Sequence, residues 1–168
     1  LKQPSGPVLV DFEEDGDPHK YLQASAVESS AEQASRSPAD EVTSLRELYE
    51  RWVADHDGRT MVGLSGIPQR RFRGTIRFLE EFAEDMEADM NERPADVPRP
   101  QFLRYCVDDL KAFYYEARMA QRPKATEEEL HTWFWGDTAT GMLVKKVAKK
   151  MGETDDAELK SFSFGLAR

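Results

Sequence analysis

Large apolar residues recur along this chain at steps of three and four, and four stretches keep that spacing long enough to predict helices. Val42, Leu45, Tyr49, Trp52 and Val53 form the first stripe. Ser37-Pro38-Ala39-Asp40 opens it, a capping residue before a proline at the first helical position, and Asp57-Gly58 closes it. Phe72, Ile76, Leu79, Ala83, Met86 and Met90 form the second, predicting a helix from about Pro68 to Met90. Only about three heptads are present, so an ordinary bundle helix is expected rather than a coiled coil. After a proline-rich linker over 91–100, Leu103, Cys106, Val107, Leu110, Phe113, Tyr114 and Ala117 predict a third helix reaching Gln121.

The fourth stretch, Thr126 to Met151, gathers the densest set of signals. Thr126 and Glu129 have the spacing of a capping box. Glu127 and Glu128 suit the positive start of a helix, and Lys145, Lys146, Lys149 and Lys150 suit its negative end. Gly136 and Gly141 each weaken it by about 1 kcal/mol against alanine, so a kink or close helix contact is expected over 136–141. Thr154-Asp155-Asp156 then caps a short last helix containing Leu159 and Phe162, and the closing FSFGLAR is expected to dock. The pattern predicts an all-α domain over 38–168, a bundle of four main helices plus a short C-terminal one.

Residues 1–37 break the pattern. Val8, Leu9, Val10 and Phe12 make one apolar patch, and the rest is small, polar and acidic. Such a composition offsets too little ordering entropy, so a flexible, largely disordered acidic arm is expected. The opening LKQPSGPVLVDFEEDG lacks the basic start and apolar core of a secretion signal, although the chain opens on Leu1 and leaves an upstream segment open.

Charge adds one asymmetry. The chain carries a formal −9, yet residues 98–151 hold ten bases against seven acids. An acidic total argues against general coating of nucleic acid. The single cysteine, Cys106, forbids an intrachain disulfide and fits a reducing, cytoplasmic setting. No apolar run approaches the ~20 residues of a membrane helix, so no membrane partner is expected.

Candidate chemistry is sparse. The glycine-rich 57–68 loop has neither Gly-Lys-Ser/Thr nor GxGxxG, and a plain connection is expected. Ser65 lies in GLSGIP, one glycine out of step with a nucleophile elbow. Asp108 and Asp109 point apart on a helix, the first pair of adjacent acids expected to be solvated. Glu128 and His131 form a lone Glu-x-x-His, and the second pair that a di-iron bundle needs is missing. With carboxylates from Glu80, Glu84 and Glu87 they would suit a metal-dependent enzyme, the third reading; no metal and no cofactor is expected, and the leading role is non-catalytic.

Two surface features remain. Arg70, Arg71, Arg73 and Arg77 crowd the start of the second helix, where free N–H groups favour an anion. A phosphate or nucleic-acid backbone there is the alternative reading. Trp133, Phe134 and Trp135 cannot all enter one side of a helix, since neighbours lie about 100° apart. Trp135, Tyr115 and Phe78 are therefore expected at the surface as anchors for a protein partner. The leading expectation is an accessory, adaptor or regulatory protein acting through protein–protein contacts.

Overall fold

The computed structural model describes residues 36–168, so the arm assigned to residues 1–37 lies, apart from Arg36 and Ser37, outside the described residues. Residues 36–168 form an all-α bundle: α1 (Pro38–Asp55), a 3-10 turn (Gln69–Arg71), α2 (Phe72–Glu84), α3 (Arg99–Gln121), α4 (Glu127–Asp137), α5 (Ala139–Glu153) and α6 (Ala157–Leu166). No strand occurs among the described residues.

The centre is the packing of α1 on α3, with α2 and α5 completing the bundle and α6 closing its end against α3 and α5. The apolar stripes read from the sequence meet there. Phe113 meets Tyr49 at a tilt at 4.9 Å and Phe72 edge-on at 5.4 Å, while Tyr114 meets Phe134 at 5.4 Å. Rings from three other helices thus converge on two neighbouring residues of α3. Cys106 lies in the same core, fully buried, and desolvation pushes its thiol far above the ordinary value, which suppresses the reactive thiolate.

Helix starts follow local chemistry closely. Ser37 Oγ accepts from the Asp40 N–H at 3.2 Å, with Pro38 at the first position. Thr126 and Glu129 form the full capping box, each side chain accepting from the other's backbone N–H. Asp156 accepts from the N–H groups of Glu158 and Leu159 to start α6.

Two predicted helices differ in extent. The second runs only over Phe72–Glu84 rather than to Met90. Asp85 turns extended, and its carboxylate accepts from the Glu87 N–H at 3.0 Å. The acids crowding that end face a helix terminus that is already negative, which favours stopping. Arginines then stitch the irregular segment. Arg93 clasps Asp89 and donates to Val97 O, and Arg99 donates to Met86 O. Met86 and Met90 still pack half-buried against the core.

The stretch from Thr126 to Met151 is two helices rather than one kinked helix. Thr138 is extended between them and bonds both ways. Its hydroxyl donates to Phe134 O at 2.6 Å and accepts from Gly141 N–H at 2.9 Å, ending α4 and capping α5. Gly141 is required here, because a Cβ on it would fall 2.0 Å from Phe134 O. The glycine flagged as a weakness is the point where two helices touch.

Candidate functional site

The aromatic residues expected at the surface are mostly inside. Phe78 is 2% exposed, packed against Phe82 and Phe102, because the buried face of α2 is wider than the stripe and takes in Thr75 and Phe78 as well. Trp135 is 7% exposed. The short α4 is covered from two sides, by α3 and α5, so all three consecutive aromatics find cover. The Lys111 ammonium of α3 sits over the Trp135 ring at 5.4 Å, and Lys145 of α5 donates to Trp135 O. The expectation of exposed anchors at Phe78 and Trp135 is corrected accordingly. Tyr115 is half-buried with its ring against Phe134. Burial pushes its hydroxyl pKa up, with Glu127 adding repulsion.

The arginines at the start of α2 lie on the surface, but three already hold acceptors. Arg70 donates to Glu50, Arg71 pairs with Glu92, and Arg73 reaches Asp40, Thr43 Oγ1 and Ala39 O. Only Arg77 has no such partner among the described residues. Glu128 and His131 are both exposed on α4, and no group of three potential metal ligands occurs among the described residues.

The feature that sequence reasoning missed is the loop between α1 and α2. It is no plain connection. Asp109, fully buried on α3, accepts from three successive backbone N–H groups. Gly63 and Leu64 donate to Oδ1, both at 2.9 Å, and Ser65 donates to Oδ2 at 3.0 Å. The Ser65 hydroxyl adds a fourth bond to Oδ2 at 2.6 Å and in turn accepts from Ile67 N–H. Convergent N–H groups of this kind make an anion cradle. The likeness to a phosphate loop therefore has a physical basis, but the anion in the cradle is the protein's own carboxylate. Gly63 and Gly66 take φ of +150° and +76°, which is why glycine stands at those bends.

A second buried carboxylate fixes the first half of the loop. Glu116, two turns beyond Asp109 on α3, accepts from Thr60 Oγ1 at 2.7 Å and from Met61 N–H at 3.0 Å. Since Thr60 gives its only hydroxyl proton to Glu116, the Tyr49 hydroxyl is the donor in their 2.8 Å contact. Burial raises the Glu116 pKa, opposed by these hydrogen bonds. Asp109 is thus not the solvated acid expected of the Asp108-Asp109 pair. Asp108 is partly exposed and lies near Arg104.

The loop so held points two large apolar side chains outward. Met61 is 78% exposed and Leu64 57% exposed, although the backbone N–H of each is bound to a buried carboxylate. Phe102, Asp109 and Glu116 stand seven apart, on one line of α3. Acids at core-facing positions of an apolar stripe were the available signal, since a buried acid demands donors from elsewhere in the fold.

A third buried acid does related work elsewhere. Glu41 of α1 accepts from Ala139 N–H at 2.8 Å and from Thr140 N–H at 3.0 Å, covering the start of α5, and from the Tyr114 hydroxyl at 3.1 Å. Desolvation is the largest influence on it and raises its pKa, with these bonds opposing. No described helix is long and apolar enough to cross a membrane. Compared with protein-family models, curated proteins and solved structures, the chain matches none.

Proposed function

We propose that this is a non-catalytic accessory or regulatory protein, and that its partner is another protein whose apolar pocket receives Met61 and Leu64. One observation carries the reading: two exposed apolar side chains project from a loop whose backbone is bound by the buried Asp109 and Glu116. Loops positioned by a rigid scaffold are common sites of recognition. Fixing the loop before binding lowers the ordering cost that a flexible segment would meet on association. Two anchors of this size suit the buried centre of an interface, where a few side chains dominate the energy. A cytoplasmic setting belongs to the same proposal; the lone, buried Cys106 is compatible with it. The arginine-rich start of α2 offers less for a nucleic-acid or phosphate partner, since three of its four guanidiniums already have acceptors.

The test is a comparison of variants in parallel pull-downs from the native host. M61E/L64E should keep the wild-type circular dichroism and melting temperature and lose a defined set of co-purifying proteins. M142E, which alters an exposed apolar residue on α5, should retain that set. Retention of every partner by M61E/L64E would overturn the proposal.

A further inference from the structure

A cleft of about 520 Å³ lies between the end of α3 and the start of α4, within the usual size range of small-molecule sites. Its walls carry Arg118, Arg122, Glu128, Glu129, Asp137 and Trp133. The Arg118 guanidinium lies over the Trp133 ring at 4.7 Å, a cation–π contact. Its one hydrogen bond is to the neutral Gln121 side chain at 2.8 Å. Burial pushes the Arg118 pKa down, the charge on Arg122 adds to this, and Asp137 opposes it. The Trp133 indole N–H, buried, has no acceptor among the described residues.

Seven arginines outside the cleft hold a carboxylate, although Arg46, Arg51 and Arg77 hold none among the described residues. Arg59, Arg70, Arg71, Arg73, Arg93, Arg99 and Arg104 each have a carboxylate within 4.0 Å. In the cleft, two arginines and three acids face the same space, and none of them forms an ion pair at that distance among the described residues. Glu129 is occupied by its capping bond to Thr126 N–H, and Asp137, at the far end of α4, acts on Arg118, which leaves Glu128 as the acid without a partner among the described residues. Opposite charges held apart around one cleft are complementary to a molecule that carries both.

We propose that this cleft binds a small zwitterion, with its oxyanion between Arg118 and Arg122 and its ammonium against Glu128. A guanidinium held against an aromatic face suits two-point recognition of a carboxylate or phosphate. The two oxyanions share that chemistry, and a titration with one compound of each kind separates them.

The Trp133 indole N–H is the reporter in protein-observed NMR, its resonance assigned by its loss in W133F. Full-length protein is titrated with phosphoethanolamine, β-alanine, inorganic phosphate and ethylamine. Phosphoethanolamine or β-alanine should shift the resonance saturably, and whichever does so identifies the oxyanion. It should bind at least about tenfold more tightly than phosphate or ethylamine, as expected when a second charge is matched. R122Q, at an exposed site, should keep the folded spectrum and weaken the zwitterion by about tenfold. E128Q should weaken the zwitterion and leave phosphate unchanged. Absence of a saturable shift with both zwitterions up to ~10 mM, phosphate binding as tight as theirs, or unchanged affinity in R122Q would each overturn the assignment.

Discussion

The arginine-rich start of α2 and the glycine-rich loop leading into it are neighbours in sequence and opposites in construction. At the first, four arginines stand exposed, and three of them meet acceptors on α1 or in the linker after α2. Both ends of each pair keep contact with water, where attraction is screened and the net gain is small. At the second, the acids are buried and the donors are backbone N–H groups together with the Thr60 and Ser65 hydroxyls. A buried donor stripped of its acceptor costs far more than a solvated one. The showy charge cluster therefore does little for the fold, and two inconspicuous acids on α3 determine the path of a whole loop.

The largest expected effect is at Asp109. Its replacement by alanine removes the acceptor of three N–H groups and a hydroxyl, those of Ser65 buried, and should lower unfolding free energy by ~3–5 kcal/mol in urea titration. A loss below ~1 kcal/mol would mean that water replaces the carboxylate freely, and the contrast with the arginines would fail.

Trp135→Ala comes next, at about 3 kcal/mol, the lower end for a large aromatic because the ring keeps slight exposure and its indole N–H has no acceptor among the described residues. A surface anchor would instead leave stability unchanged, so denaturation of this variant separates the two placements directly.

Glu41 gives a smaller, pH-dependent effect. Its folded pKa lies above the ordinary 4.5, mainly through desolvation. As pH rises through that window the unfolded chain releases its proton first, so the wild type loses stability relative to a variant that cannot ionise. E41Q should be the less stable protein throughout, since an amide NH2 replaces one of the two oxygens that accept from Ala139 and Thr140 and sets donor against donor. The gap between the two should narrow as pH rises above the ordinary 4.5. Paired urea titrations that show it widening would contradict the burial of this carboxylate.

The smallest effect belongs to the arginines. R70Q should change stability by less than ~0.5 kcal/mol, because the Arg70–Glu50 pair keeps 74% and 41% side-chain exposure. A loss comparable with D109A would erase the distinction between the two regions.

Much of the bundle was legible because helix periodicity, caps and breakers are local. Ser37, the Thr126–Glu129 box and Asp156 could be read from a few residues each. The limits of α2 and the break at Thr138 were less legible. One depends on arginines reaching back from 93 and 99, and the other on a glycine pressed against a carbonyl of the preceding helix. The site was hidden for the same reason. Exposure of Trp135 follows from helix geometry only if one side of α4 is covered, and contacts from both α3 and α5 supply the missing cover. Met61 and Leu64 looked like ordinary loop residues because the acids that hold their backbone lie about 45 and 55 positions further along.

Amide hydrogen exchange at Gly63, Leu64 and Ser65, read residue by residue by NMR in the wild type and in D109N, tests the central claim most directly. The three amides should exchange slowly in the wild type despite lying in a solvent-facing loop, with protection approaching that of α3 itself, and should lose most of it in D109N. Exchange in the wild type at the rate of an open, unbonded loop would contradict the anchoring of this loop by Asp109.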